Sequence, residues 1–588
     1  MAQQDERGGA GGAVRLDLAT VSRRPTLYGS RHAISSGHYL ASAAGHAILE
    51  AGGNAVDAGC AAGIALAVLH SNEVNFAGVA PIMIRTANGR TVTIAGLGHW
   101  PRGFPADLFL REHAGEVVHG VLCTVVPAAP DAWITALRDH GTMTFGDVAG
   151  EAIRFAREGF AMYDYFHEEV TAFRDRFGRW PANAEVYLPG GEPPQLGDRF
   201  VQEDLADTIQ HMVDEERSAL RRGRRAGLQA ARDAFYVGDI AARIVAHQRE
   251  QGGYLTREDL ASFHSRYEPA IATRWRDFEV ITCGPWCQGP VLAQCLRMLE
   301  RRGLGTVRRD EPDYAHLVIE VMKAAFADRE FRYGDPAFVD VGIEQLLSDA
   351  HADRRLAAIS DERAHRGMHA PIGAHPHALE LLPEPTRRGA AGRAPDTSYV
   401  CAIDRWGNAF SATPSDGAYE APVVPGTGIV PSSRGTQSRA DPRHPSGVGP
   451  GRRPRLTPNP AIAVRDDGSV YTFGCPGGDM QVQAMLQVFL NTFHFGMDVQ
   501  QAIDAPRFST WSFPNSFTPF EFLVDRVAIE DRFPDQLVAE LARRGHDVER
   551  WPPFTRSAAA VEAILYDAGS GFLHAGADPR QPAYAIVS

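Results

Sequence analysis

One stretch constrains this chain more than any other. Residues 396–417 read DTSYVCAIDRWGNAFSATPSDG: a half-apolar run, a polar turn over Asp404–Asn408, and a second run that ends near Ser415. Two such runs around a glycine-containing loop predict a β-hairpin. If the loop spans residues 404–408 and the pairing is regular about Trp406, Thr397 lies opposite Ser415. Two core strands are enough to explain the pattern by itself.

The rest of the chain predicts a mixed α and β scaffold. Leu40–Leu69 reads as two helices, the first ending at Gly52-Gly53 and the second capped by Asn54 or Asp57. Small and apolar residues on nearly every face mark the second as a core helix. Asn88-Gly89 signals a tight turn between strands. Helical periods recur over 126–160, with a stop at Gly141 and a start near Thr144; over 235–263, with Thr256 as a cap; and over 313–338. Gly474-Cys-Pro-Gly-Gly478 precedes an apolar-periodic helix, Met480–Phe493. Glycines at a helix start let another backbone approach, and the free N–H groups there favour a negative oxygen. No internal repeat is evident.

Two stretches lack an apolar period. His365–Asp396, rich in Pro, Gly, Ala and Arg, predicts a mobile surface segment. Pro431–Pro454 predicts a long loop of the kind that is either functional or disordered.

With 44% hydrophobic and 22% charged residues the chain has the composition of a soluble protein, and a net charge of −13 argues against nucleic acid as a partner. The basic cluster in Glu216–Phe235 predicts a solvated helix face. The first residues have no apolar h-region, so 1–32 reads as a disordered leader rather than a secretory signal. The most apolar run, Ala58–Leu69, is too short to span a bilayer, which argues against membrane insertion. Seven cysteines form no regular framework, and Cys283 and Cys287 are one residue too far apart for a CxxC pair; free thiols in a cytoplasmic protein are expected.

TSYVCAIDRWGNAFSAT resembles the TTHYSVVDxxGNAVAVT pattern that opens the small subunit of γ-glutamyltransferases, which are N-terminal-nucleophile hydrolases. The resemblance continues elsewhere: AGGNAVDAGCAA is similar to AGGNAVDAAVAA of the large subunit, and Gly474–Gly478 to the SPGG oxyanion segment. It covers nearly the whole chain from about residue 33 and extends through Gln487–Asn491 and Ala505-Pro-Arg507. It implies an α+β fold with αββα layers and central antiparallel sheets. It also implies autocleavage between Asp396 and Thr397. Residues 33–396 would form a large-subunit-like region, and 397–588, carrying the nucleophile, a small-subunit-like region of the same globule. Thr397 would be the catalytic nucleophile. Ser415 would orient its hydroxyl where the family has a threonine, and the N–H groups of Gly477 and Gly478 would receive the oxyanion. No cofactor and no metal is required, and the expected partners are a small-molecule amide and the chain's own two fragments.

Departures from the family pattern concern the substrate. Aligned on Pro101, the arginine that clamps the α-carboxylate of a γ-glutamyl group falls on Leu97, and an aliphatic side chain cannot replace a bidentate clamp. Ser432-Ser433-Arg434-Gly435 stands where an NNQMDD-like phrase holds the α-amino group, closer to the NNRG of acylase-like members. Arg453–Pro460 matches the LSSMTP-like pocket only loosely, with Thr457 at one of its serines. Arg434 and Thr457 are the expected substrate-binding residues. Three readings follow: a self-processing amidohydrolase acting on another acyl group, which joint retention of Thr397, Ser415 and the glycine pair favours; a true γ-glutamyltransferase with its clamp rebuilt from Arg434 or Arg439; and an uncut, non-enzymatic relative.

Overall fold

The computed structural model describes residues 24–373, 377, 379–386 and 396–588. Two seven-stranded sheets, each antiparallel throughout, form its centre. One runs in the order Leu27–Gly29, Phe572–Ala577, Glu562–Asp567, Val470–Gly474, Ala461–Arg465, Phe278–Thr282, Ile271–Trp275. The other runs Tyr584–Val587, Ala33–Ser36, Val400–Ile403, Ala409–Ala412, Ile82–Arg85, Thr91–Ile94, Tyr267–Glu268. Every pairing in both sheets is antiparallel.

The hairpin explains why the sheets stack. Its strands are buried at every position, so both faces need cover. Val400, Ala402, Phe410 and Ala412 face a helical layer that contains Tyr39–Glu50 and Ala55–Leu69. Cys401, Ile403 and Ala409 face the opposite sheet, against Ile462, Ile564 and Ala575. The far side of that sheet, through Val280, Ala463 and Phe473, packs on the helices Gly289–Arg302, Pro312–Arg332 and Gln481–Phe493. The result is the αββα sandwich.

Local signals placed the flanking elements well. Asn54 caps the Ala55–Leu69 helix in a capping box with Asp57, a device worth about 1 kcal/mol. Thr144 and Thr256 make the same box with Asp147 and Asp259. The hairpin register is the expected one, with Val400 opposite Ala412 and Ile403 opposite Ala409. Asp404 closes its loop by accepting from the Trp406 and Asn408 N–H groups at 2.9 and 3.0 Å, and its other oxygen accepts from Ala55 N–H at 2.9 Å. The loop thereby caps the core helix. Phe410 then lies so close to Gly59 that a Cβ there would sit 2.1 Å from a ring carbon.

Other expectations need correction. Residues 1–23 of the expected leader lie outside the described residues, whereas Leu27–Gly29 within it is an edge strand paired with Phe572–Ala577. Of the stretch expected to be mobile, 374–376, 378 and 387–395 lie outside the described residues. The remainder is anchored, with Thr386 N–H on Phe522 O at 2.7 Å and His365 N–H on Glu320 at 3.1 Å. The long loop 431–454 is largely buried, because its arginines satisfy its own carbonyls and the acids beneath it. In the basic cluster, Arg221, Arg222 and Arg225 are exposed, but Arg232 is buried against Asp131 at 2.5 Å. All seven cysteines are buried and unpaired. Among the described residues no helix is long and apolar enough to cross a membrane.

Candidate active site

The hairpin ladder stops at Val400 and Ala412, and beyond it one further bridge joins Thr397 to Ser415. Ser415 is also bridged to Val79, with its N–H on Val79 O at 3.0 Å and the return bond at 3.2 Å. Both hydroxyls are therefore fixed by backbone pairing, and their oxygens are 2.7 Å apart in a fully buried site.

Donors converge on the carbonyl oxygen of Asp396. Ser415 Oγ donates to it at 2.7 Å and Arg434 Nη2 at 3.0 Å, while the Asp416 N–H lies 3.4 Å away. A serine hydroxyl has one proton and two acceptor lone pairs. With its proton on Asp396 O, Ser415 accepts from Arg434 Nη2 and from the Thr397 hydroxyl. The Asp396 carboxylate is a second acceptor for that hydroxyl, at 3.3 Å. A hydroxyl with acceptors for its proton thus sits beside a carbonyl whose oxygen is held by a cation and a hydroxyl. That arrangement favours nucleophilic attack on the carbonyl carbon.

Arg434 is fully buried, with Nη1 on Asp396 Oδ2 at 2.6 Å and Nε 3.6 Å from Asp416 Oδ1. Burial alone would lower its pKa, but the carboxylates of Asp396, Asp416 and Glu420 outweigh it and raise the value. Asp416 holds an unusual backbone, with φ at +128°. Its carboxylate accepts from Ser432 Oγ at 2.7 Å and from Ser433 N and Oγ at 3.0 and 2.9 Å. Burial pushes its pKa up to about 6, against the opposing pull of Arg434 and the serine hydroxyls.

The expected oxyanion turn lies on the same cleft. Gly477 and Gly478 have φ of +117° and +57°, a region that side-chain-bearing residues rarely adopt. No acceptor is found for either amide among the described residues. Asp479 pins the turn: it accepts from Ser516 N and Oγ, both at 2.7 Å, from Gln288 at 2.5 Å, and from Arg329. Asp396, Gly477, Gly478, Asp479, Trp511, Asn515 and Phe517 line a cleft of only about 10 Å³, hardly room for one water. Phe517 also lies beneath Arg434, its ring centre 5.6 Å from the guanidinium.

Thr397, Ser415, Arg434 and the glycine pair thus come together, whereas two other candidates do not join them. Thr457 is absent from the cleft lining, its hydroxyl accepting from Gln437 at 3.0 Å. Arg439 is buried against Glu330, which also binds Arg455 at 3.0 Å, and its guanidinium covers Phe520 at 3.8 Å. Leu97 is buried and lines a different cleft of about 210 Å³, together with Asp335 and Arg453. Sequence reasoning missed Asp416, Asp479, Trp511 and Phe517. An acid directly after Ser415 and another directly after the glycine pair were the available signals for the first two; the aromatics left none. Among the described residues His316, Glu320 and His546 bring possible metal-ligand atoms within 4.8 Å of one another, but Lys323, 2.9 Å from Glu320, already supplies the countercharge.

Residues 41–588 match the gamma-glutamyltranspeptidase family model. The chain belongs to the gamma-glutamyltranspeptidase family. It is accordingly an enzyme of the N-terminal-nucleophile amidohydrolase and transferase class. It is similar to the acylase ACY 1 proenzyme of Pseudomonas sp. (strain V22), 30% identical over 561 residues that cover 93% of this chain and 92% of that protein. Among solved structures it resembles LmbA2991HD, with a TM-score of 0.88 at 36% identity over 96% of this chain and 100% of that one. It also resembles the cephalosporin acylase from Bacillus halodurans, with a TM-score of 0.82 at 28% identity over 100% of this chain and 99% of that one.

Proposed function

We propose that this chain cuts itself between Asp396 and Thr397 and then hydrolyses or transfers acyl amides, other than γ-glutamyl ones, through the new N-terminal threonine. The observation that carries the reading is the Asp396 carbonyl oxygen, held at 2.7 Å by Ser415 and 3.0 Å by Arg434, beside the Thr397 hydroxyl. In the intact chain Thr397 Oγ attacks the Asp396 carbonyl carbon and the peptide C–N bond breaks. The hydroxyl proton ends on the nitrogen, and water hydrolyses the resulting ester.

The freed nitrogen is an α-amine with a reference pKa of about 7.7–8.0, able to take the Thr397 proton in each later turnover. Ser415 orients the hydroxyl. A substrate carbonyl then places its developing oxyanion on the Gly477 and Gly478 N–H groups. The acyl-threonine ester passes its acyl group to water or to an amine. Each sheet pairs strands from both sides of residue 396, so the two fragments stay together after the cut.

Support for a different acyl group is the missing head-group clamp. Leu97 offers no charge, and Arg439 is committed to Glu330. A γ-glutamyl group would bury its ammonium without the acidic pair that meets it in the family pattern, at a cost on the order of several kcal/mol. The Pseudomonas and Bacillus halodurans relatives bear the name acylase. Denaturing gels with N-terminal sequencing test the cut, which should leave one fragment ending at Asp396 and one beginning at Thr397. On the cut enzyme, γ-glutamyl anilide should be turned over at least about tenfold less efficiently than simple acyl anilides, tenfold being only about 1.4 kcal/mol. Efficient, saturable γ-glutamyl turnover would instead favour the transferase reading.

Cutting should also depend on pH. Ionised Asp416 helps hold the charged Arg434, so protonation near pH 6 weakens that hold and the cutting rate falls on the acid side with a midpoint near 6. Asp416→Asn should remove this limb from the profile of cutting rate against pH. The raised value has the opposite consequence for stability: Asp416's contribution is full below its ordinary pKa of 3.8 and is lost as pH rises through about 6.

A further inference from the structure

The Asp396 side chain has a partner that it must give up. Its carboxylate oxygen Oδ2 receives Arg434 Nη1 at 2.6 Å while Arg434 Nη2 holds its carbonyl oxygen at 3.0 Å. One guanidinium therefore spans an acyl carbonyl and a carboxylate two carbons further along the same residue. The guanidinium thus makes one charge-assisted bond to the carboxylate and one bond to the carbonyl, both fully buried.

We infer that Asp396 is held in the uncut chain as an internal substrate, and that Arg434, once Asp396 leaves, selects acyl amides bearing a carboxylate two carbons beyond the carbonyl, that is, succinyl- or β-aspartyl-like acyl groups. The inference rests on the reading of Thr397 as the nucleophile and names the acyl group for that same site.

The covalent chemistry supports it. When Thr397 Oγ bonds to the Asp396 carbonyl carbon and the C–N bond breaks, the product is an ester of Thr397 whose acyl chain ends in the carboxylate on Arg434. Attack of the mature Thr397 on a succinyl amide, with loss of the amine, gives an ester with the same spacing between carbonyl and carboxylate. Asp396 is part of the cleft lining, so its departure opens a space beside Gly477, Gly478 and Phe517, and Phe517 is the ring beneath Arg434.

Arg434 cannot fill the vacancy from within. After the cut its Nη1 has lost the acceptor it had at 2.6 Å. Asp416, 3.6 Å from Nε, already accepts three bonds from Ser432 and Ser433. Asp416 stays beside the guanidinium after Asp396 leaves, and an arginine is not deprotonated in proteins, so it remains a buried cation beside the opened space. A neutral acyl group leaves Nη1 without an acceptor, whereas an acidic one restores the bond that Asp396 made.

The test uses the cut wild-type enzyme and matched anilides. Succinyl monoanilide should exceed butyryl anilide in kcat/KM by about 10- to 100-fold, the range expected for a charge-assisted hydrogen bond. Oxalyl monoanilide, whose carboxylate adjoins the carbonyl, should lose most of that advantage. In Arg434→Met the succinyl-to-butyryl ratio should fall towards one. Because that variant can also fail to cut, calorimetric binding of succinate provides a second measurement that needs no turnover. Succinate should bind the cut wild type and not the uncut Thr397→Ala chain, in which Asp396 still occupies Arg434; butyrate should bind neither. Equal succinyl and butyryl rates, or succinate binding to both forms or to neither, would overturn the inference. If the cut enzyme turns over no acyl amide yet binds succinate selectively, Arg434 selects as inferred and the proposed reaction is what fails.

Discussion

Thr397→Ala should yield a folded, full-length chain that neither cuts itself nor turns over any acyl amide. The substitution removes the one hydroxyl that serves as nucleophile in both proposed reactions, so no partial activity is expected from the rest of the site. Folding should survive. Thr397 is buried, but Ser415, its hydrogen-bond partner at 2.7 Å, still donates to Asp396 O and accepts from Arg434. One lost hydrogen bond of this kind costs about 1 kcal/mol, small against a core of two seven-stranded sheets. Thr397→Ser keeps the nucleophile and should restore cutting. A gel lane, a melting curve and an anilide assay read all three expectations. A Thr397→Ala chain that stays uncut yet active would exclude the mechanism.

Ser415→Ala should slow cutting by about 10²–10³-fold without abolishing it. The loss corresponds to about 2.7–4 kcal/mol, the usual range when one donor to a developing oxyanion is removed. Ser415 does two things at once: it donates to the carbonyl oxygen at 2.7 Å and accepts from the hydroxyl that attacks. Arg434 and the Asp416 N–H remain near the same oxygen, at 3.0 and 3.4 Å, which is why a residual rate is expected. Ser415→Thr retains donor and acceptor and should cut at close to the parent rate. A time course of fragment formation for the three chains distinguishes this role from that of a turn residue after Pro414, for which alanine would be nearly neutral.

Several features of the site were legible because they depend on neighbours in the chain. The hairpin register follows from a loop of set length between two short runs, so Thr397 opposite Ser415 could be read directly. The left-handed turn at Gly477 and Gly478 needs glycine, and two adjacent glycines before an apolar helix show it. The choice between Arg434 and Arg439 as a free cation could not be read in the same way. Both sit in one Pro-, Gly- and Arg-rich loop. Only the fold puts Asp396 beside the first and Glu330 beside the second.

By itself the sequence determined the elements and their ends: Asn54, Thr144 and Thr256 at helix starts, Gly141 at a stop, and the polar turn of the 400–412 hairpin. Each is a contact over a few residues, for which composition and spacing are enough. Tertiary structure alone decided what meets across the layers. It moved Leu27–Gly29 from the expected leader into a sheet edge, buried Arg232 on Asp131, carried Asp479 to Ser516, and left Thr457 outside the cleft. Above all it closed Arg434 onto an aspartate 38 positions earlier in the chain. Pairings at such separations leave no period in the sequence, because each partner is fixed by the packing of strands and helices between them.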